Sequence, residues 1–517
     1  MLGTLGSILF SCIALYVINS LVKFWSALRS IGHLSGYRVA FSQHSLVSLL
    51  GKIRGITPGG NHFFEDKHDT FQEWDINSVV SAFPEPLITL TVADADAIKE
   101  MTSSRARFPK PVFQYKVLTF FGRNIVASEG EEWKKYRKIS APAFSDRNNK
   151  LVWDETILIV NSLFNDVWKD KDIISLDHCV DITLPIALAV ISAAGFGKRS
   201  SWFDDDEIPN GHSMTFKQSL HIASTDIFFK FFFSGTILRY GTARMRNVQI
   251  AFDELSLYIS EMIKERQLSE KVERYDLFSS LLEANSDDGE EVRLTESELR
   301  GNIFIYLIAG HETTAHTLCF TFALLAFHED EQEKLYQHIK SILLNGQNPS
   351  YEDMPRLTYS MAVFYETLRL FPPVVNIPKV AGEDTVLTVG NVHGEKRSFP
   401  IAKGTRVAIN TPGLHFNPRY WDDPTSFKPS RFLKSDWNRD AFLPFSAGAR
   451  ACLGRRFFET EGIAVLTMLV SRYKISIKQE PQFAGETIEQ CKERVFRTSN
   501  MLTLTPVRVP LTFTRRT

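Results

Sequence analysis

The stretch FLPFSAGARACLGRRFF, residues 442–458, sets one cysteine among glycines, arginines and phenylalanines in a chain that has five cysteines. A lone cysteine is most often a small buried filler, so the spacing around it has to carry any other reading. Written as FxxGxRxCxG, the segment contains Phe445, Gly448, Arg450, Cys452 and Gly454. Ordinary composition brings those five identities together on the order of 10⁻⁷ times per window, roughly 10⁻⁴ over the whole chain. The chemistry suits a metal ligand at Cys452. Glycines let backbone approach a flat ring, N–H groups and a following helix N-terminus stabilise a thiolate, and Arg450 can meet an acidic group.

The rest of the chain limits what such a ligand could serve. With 517 residues and 44% hydrophobic side chains, the protein can bury a large core as one big domain or two to three ordinary ones. Lys plus Arg (59) balance Asp plus Glu (60), so no global field favours a nucleic acid or an acidic polymer as partner. Cysteines at 12, 179, 319, 452 and 491 show no CxxC or paired spacing, which argues against a disulfide framework or a zinc cluster and suits a reducing compartment. The first 22 residues carry no charged side chain, and about 20 apolar residues cross a bilayer as a helix. A cleaved signal peptide is the rival, but no basic segment precedes the run and no clean small-x-small site follows it. Lys23, Arg29, Arg38, Lys52 and Arg54 come before the first acid, Glu65, which places everything after the helix on the cytosolic side.

No repeat or long low-complexity run interrupts the chain. The acidic stretches 203–213 and 283–298 read as solvated loops. Between them, residues 245–285 show apolar positions at helical spacing. After them Thr295 and Glu298 form a capping box, opening a helix that runs to about residue 327. Such a helix spans about 48 Å, and its segment NIFIYLIAG is apolar on every side, which marks a helix buried through the middle of a domain. Strand-like runs are few and short: LITLTV, TRVAIN, YKISI and LTLTPV. The class is mainly α with small β-sheets.

Three further segments carry polar chemistry. AGHETT, Ala309 to Thr314, places a glycine, a carboxylate and two hydroxyls inside the buried helix, where an acid is costly without a partner or a task. Thr313 either bonds back to the carbonyl four residues earlier or serves the space that Ala309 and Gly310 leave open. YETLRLFPP puts Glu366 and Arg369 three apart on one helix face, and FKPSRF supplies Arg431; a buried network of the three would strand a charge if one were lost. EEWKKYRK spaces Trp133 and Arg137 four apart on a helix.

A haem brings two propionates and needs an axial ligand, and the segments together resemble the cytochrome P-450 superfamily of haem-thiolate monooxygenases, in the family's order, from about residue 60 to 510. The resemblance implies a single large haem domain of the cytochrome P-450 fold with an N-terminal membrane helix. Its divisions would be an anchor over 1–24, a membrane-proximal segment over 25–59 and the haem domain over 60–517. It implies haem b, with Cys452 as the proximal iron ligand favouring O–O cleavage and with Phe445, Arg450 and Gly454 in the loop around it. Glu312 and Thr313 would relay protons to oxygen on the distal face, where Ala309 and Gly310 leave room. His311 is structural. Glu366, Arg369 and Arg431 would match the EXXR and PERF-type motifs that lock the cysteine region, and Trp133 and Arg137 the WxxxR helix that meets a propionate. Departures are Ser430 before Arg431, a first proline only at Pro58, Asn376 where many relatives place a basic residue for the second propionate, and Phe458 where a small residue is common.

The implied reaction is monooxygenation of a lipophilic small molecule using O₂ and electrons from NADPH. They would be delivered by a separate NADPH-cytochrome P-450 reductase, with cytochrome b5 as a further donor. Lys134, Lys135, Lys138, Arg455 and Arg456 form either a basic patch for such a partner or a merely solvated basic face. The rivals are a haem-thiolate isomerase or dehydratase that uses no O₂, and a haem-binding protein without turnover. By the same resemblance the segments 107–122, 226–235, 372–379 and 496–503 would line the pocket, and their apolar, aromatic side chains favour a lipophilic ligand. The wording of the motifs resembles fungal microsomal members, implying a single-pass protein of the endoplasmic reticulum membrane that acts on a terpenoid or other secondary metabolite, with a fatty acid or xenobiotic as the alternative.

Overall fold

The computed structural model describes residues 2–199, 202, 207–268, 276–284 and 293–516. Residues 203–206 and 285–292, within the two acidic stretches, lie outside the described residues. The chain forms two compact units. The smaller is built from 1–111, 374–426 and 436–451, the larger from 112–373, 427–435 and 452–517.

The smaller unit begins with the helix Leu2–Ser30, which continues beyond residue 24 because residues 7–31 contain no glycine or proline. Ser7–Ser30 is long and apolar enough to cross a membrane, and it is scarcely covered by protein: Phe10, Leu15 and Val22 are exposed. A five-stranded mixed sheet follows, in the order Gly36–Phe41, Ile76–Phe83, Leu87–Val92, Arg406–Asn410 and Asn376–Val380. Val79 pairs with Thr89 in an antiparallel ladder, and Leu90 with Val407 in a parallel one. Of these strands the sequence signals only LITLTV and TRVAIN. Ile76–Phe83 escapes because seven of its eight residues are buried, including serines and an asparagine that break any alternation of apolar and polar positions.

The larger unit is helical and is organised around Glu296–Phe327. Thr295 caps this helix. Its Oγ1 accepts from Glu298 N (3.3 Å) while Glu298 Oε2 accepts from Thr295 N (2.8 Å), so the capping box lies where the sequence places it. Residues 301–308 and 314–326 are all buried. Helix Val180–Val190, continued by a π-turn at Ile191–Gly195, packs along it, with Leu184, Ala187 and Ala315 in one cluster. Within the expected helical run at 245–285, Ala243–Leu268 and Leu277–Glu283 are helices, and 269–275 and 285 lie outside the described residues. Two small antiparallel sheets complete the unit: Ile173–Leu176, Leu511–Arg515 and Tyr473–Ile477 in one, Thr498–Asn500 and Leu504–Pro506 in the other.

Candidate functional site

The boundary between the units falls inside the cysteine motif. Phe445, Gly448 and Arg450 belong to the smaller unit, Cys452 and Gly454 to the larger. In the smaller unit Gly448 has φ +65°, and a Cβ there would stand 2.4 Å from the Thr102 carbonyl oxygen; no other residue fits that approach. Leu443 N donates to Nε2 of the fully buried His415 at 2.9 Å, fixing the start of the motif. Arg450 ends the short turn Gly448–Arg450. Asn376 lies on the edge strand of this unit's sheet, with Oδ1 buried and unpaired.

In the larger unit Cys452 precedes helix Arg455–Arg472, whose N-cap is Gly454. Burial pushes the Cys452 thiol up, while the Gly454 N–H and the charges of Arg137 and Arg455 pull it down, and Glu459 opposes them. The side chain nevertheless has accessible surface. The sulfur therefore has protein around it and remains reachable. Arg137 sits on helix Gly130–Ser140 with its guanidinium 5.7 Å from the ring centre of buried Trp133. That helix is tied to the central one through Glu298, whose Oε1 accepts from Lys135 Nζ and from Tyr136 Oη (2.8 Å). Burial works to raise the Glu298 carboxyl, but the Lys135, Thr295 and Tyr136 contacts together hold it down. The capping-box acid thus also positions Trp133 and Arg137, a role the local pattern could not reveal.

The central helix presents an accessible strip where everything around it is buried. Ala309 is exposed, and Gly310 and Thr313 are half-buried; 309 and 313 are four apart and share a face. Thr313 Oγ1 donates back to the Ala309 carbonyl at 2.9 Å. The space at Gly310 is taken by a neighbour: a Cβ there would meet Ile191 Cγ1 at 2.8 Å, so its missing side chain serves helix packing. Glu312 does not face Thr313. It is buried, accepts from Thr503 Oγ1 at 3.4 Å, and burial pushes its carboxyl up to about 7 against the Ser224 and Thr503 hydroxyls. His311 is buried, with Nδ1 2.7 Å from the Leu307 carbonyl oxygen, and burial lowers it to about 4.

The supporting network is fully assembled. Arg369 Nε and Nη2 donate to Glu366 Oε2 and Oε1 at 2.7 and 2.8 Å, Lys428 N donates to Oε1 at 2.8 Å, and Arg431 Nε lies 3.3 Å from the same oxygen. Glu366 and Arg369 have no exposed surface. Phe458 is buried 5.1 Å from the Phe364 ring, filling the space beside it. Of the five basic residues, Lys134 pairs with Glu131, Lys135 with Glu298, and Arg455 and Arg456 with Glu459, while Lys138 is exposed. The patch carries less free charge than its composition suggests.

The family model for cytochrome P450 matches residues 46–494. The chain belongs to the cytochrome P450 family. It is 54% identical over 512 residues to cytochrome P450 monooxygenase 124 of Postia placenta, which covers 98% of both chains. It is 31% identical to cytochrome P450 monooxygenase ORF6 of Penicillium roqueforti, covering 80% of this chain and 78% of that one. The crystal structure of the cytochrome P450DA heme domain superposes with a TM-score of 0.74 at 23% identity, covering 94% of this chain and 99% of the other, a likeness of fold. This P450 is accordingly a monooxygenase, and membership brings a haem-thiolate centre. The residues present fit that group: a reachable sulfur with an N–H directed at it and guanidinium charges near it, and a strip of small side chains on an otherwise buried helix.

Proposed function

We propose that the protein is a membrane-anchored haem b monooxygenase that hydroxylates or epoxidises a lipophilic small molecule, a terpenoid or related secondary metabolite. The overall stoichiometry for hydroxylation is RH + O₂ + 2e⁻ + 2H⁺ → ROH + H₂O, the electrons coming from NADPH through a separate reductase, with cytochrome b5 as a further donor. The observation that carries the reading is Cys452. It is a reachable sulfur at a helix N-terminus, with the Gly454 N–H directed at it and the charges of Arg137 and Arg455 acting on it.

The haem-thiolate group supplies oxygen activation when bound. Cys452 would be its ligand, losing its thiol proton on coordination. The Gly454 N–H hydrogen-bonds the sulfur, Trp133 with Arg137 would hold a propionate, and Phe445 and Arg450 are the motif's residues on the N-terminal side of the cysteine. Ala309 keeps the strip beside Thr313 free of bulk. Thr313 Oγ1 keeps its own proton on the Ala309 carbonyl and presents its lone pairs. Glu312, poised near neutrality, stores a transferable proton. Glu366, Arg369 and Arg431 hold the framework and take no part in the chemistry.

The lipophilic substrate class is supported by aromatic surface: Phe113, Phe231 and Phe232 are exposed, while Phe121 packs 4.4 Å from Phe304 of the central helix. The exposed apolar helix at the N-terminus supports single-pass anchoring in the endoplasmic reticulum membrane, catalytic domain cytosolic. Cys452→Ser tests the reading. It should abolish the thiolate-type carbon-monoxide difference spectrum and NADPH-driven turnover; parental spectrum and activity would overturn it. Spectral titration with sesquiterpenes, diterpenes, fatty acids and xenobiotics tests the substrate. Tight fatty-acid or xenobiotic binding without a terpenoid response would replace the terpenoid, and product from a hydroperoxide without NADPH or O₂ would point to an isomerase.

A further inference from the structure

Glu312 is held from a direction that its own segment does not supply. Glu312 and His316 are four apart, hence on one face of the central helix. Thr503 bridges them from the turn between strands Thr498–Asn500 and Leu504–Pro506. Thr503 Oγ1 donates to Glu312 Oε2 at 3.4 Å, and His316 Nδ1 lies 3.0 Å from the same hydroxyl. Exposures are 4% for Glu312, 5% for His316 and 6% for Thr503, so water does not compete freely for these contacts. A hydroxyl has one proton to give. When Glu312 is ionised, Thr503 gives that proton to the carboxylate and accepts from His316, which matches the Nδ1–H tautomer. The turn itself is pinned by Leu504 N donating to the Pro373 carbonyl at 2.9 Å.

We propose that Thr503, oriented by His316, is a positioning residue that sets how the Glu312 carboxyl is turned and how readily it parts with its proton. This rests on the reading of Glu312 as the proton store. Around the carboxyl, Ser224 faces it from helix Phe216–Thr225 and Thr503 from the turn. Around His316 the titratable neighbours are His311 on the same helix, His221 on helix Phe216–Thr225 and His178 just before helix Val180–Val190. Burial lowers His316 to about 3, so it acts as a neutral donor with no charge to lend. The Thr503 hydroxyl is then a group from outside the central helix that favours the ionised form of Glu312 by hydrogen bonding.

The test uses the full-length holoenzyme in detergent and reads the infrared carbonyl stretch of protonated Glu312, assigned by its absence in Glu312→Gln, as a function of pH. Thr503→Val, which keeps the shape and removes the hydroxyl, should move the midpoint of that band upward by about one pH unit. The alkaline limb of turnover should move with it. Thr503→Ser should restore the parental midpoint. His316→Asn, which keeps a donor in the place of Nδ1, should stay near it, and His316→Leu should shift it in the direction of Thr503→Val. An unchanged band in Thr503→Val, or the same shift in Thr503→Ser, would overturn the proposal. Parental coupling of NADPH to product in Glu312→Gln would instead remove the assignment of Glu312, a distinguishable failure because the band shift is read independently of turnover.

Discussion

Replacing Arg369 by alanine removes the guanidinium that makes two of the bonds to Glu366, at 2.7 and 2.8 Å, in a place with no solvent exposure. Glu366 would keep the Lys428 N–H at 2.8 Å and Arg431 at 3.3 Å, too little to satisfy a carboxylate that water cannot reach. Breaking a buried pair by deleting one member costs about 3–5 kcal/mol. Arg431→Ala should be milder. It removes the 3.3 Å contact to Glu366 from an arginine that is 11% exposed and leaves the bidentate Arg369 fork intact, so about 1–2 kcal/mol is expected. Removing Glu366 and Arg369 together should cost less than the sum of the single changes, because neither charge is then stranded. The assay is urea unfolding of the detergent-solubilised enzyme followed by tryptophan fluorescence, with haem retention read in parallel. Equal costs for Arg369→Ala and Arg431→Ala, or a cost under about 1 kcal/mol for Arg369→Ala, would refute the argument that burial and the bidentate geometry set the energy.

Two other outcomes follow from the burial of Glu312 and the packing at Gly310. Glu312 rises from 4.5 in the unfolded chain to about 7 in the fold. The folded state therefore holds this proton more tightly, and the stability so gained is full below pH 4.5 and lost as pH rises through 7. The size is about 3 kcal/mol, and urea unfolding of Glu312→Gln should lack that decline between roughly pH 5 and pH 7.5; an identical pH dependence in both proteins would refute it. Gly310→Ala should lower the thermal midpoint, since its methyl meets Ile191 Cγ1 at 2.8 Å and Cδ1 at 2.9 Å. Overpacking of about 1–3 kcal/mol exceeds the helix-propensity gain of about 1 kcal/mol. Adding Ile191→Ala should recover part of the loss, and no recovery would mean that the clash is not the cause.

What could be read from the residues alone was whatever depends on neighbours along the chain. The FxxGxRxCxG spacing, the Glu366–Arg369 pair one turn apart, and the Thr295–Glu298 box that opens the central helix all act over ten residues or fewer, and the chain's own geometry presents them. What only tertiary structure decided has partners far away in sequence. The Glu312 carboxyl turns to Thr503, 191 residues on, and the space at Gly310 belongs to Ile191. Glu298 pins the helix of Trp133 and Arg137 from over 160 residues away. Strand Ile76–Phe83 belongs to a sheet that also takes in Asn376–Val380 and Arg406–Asn410, about 300 residues away. The physical reason is that burial and long-range hydrogen bonding depend on which surfaces the fold brings together. A side chain's identity gives the bonds it can make, and packing selects the one it does make.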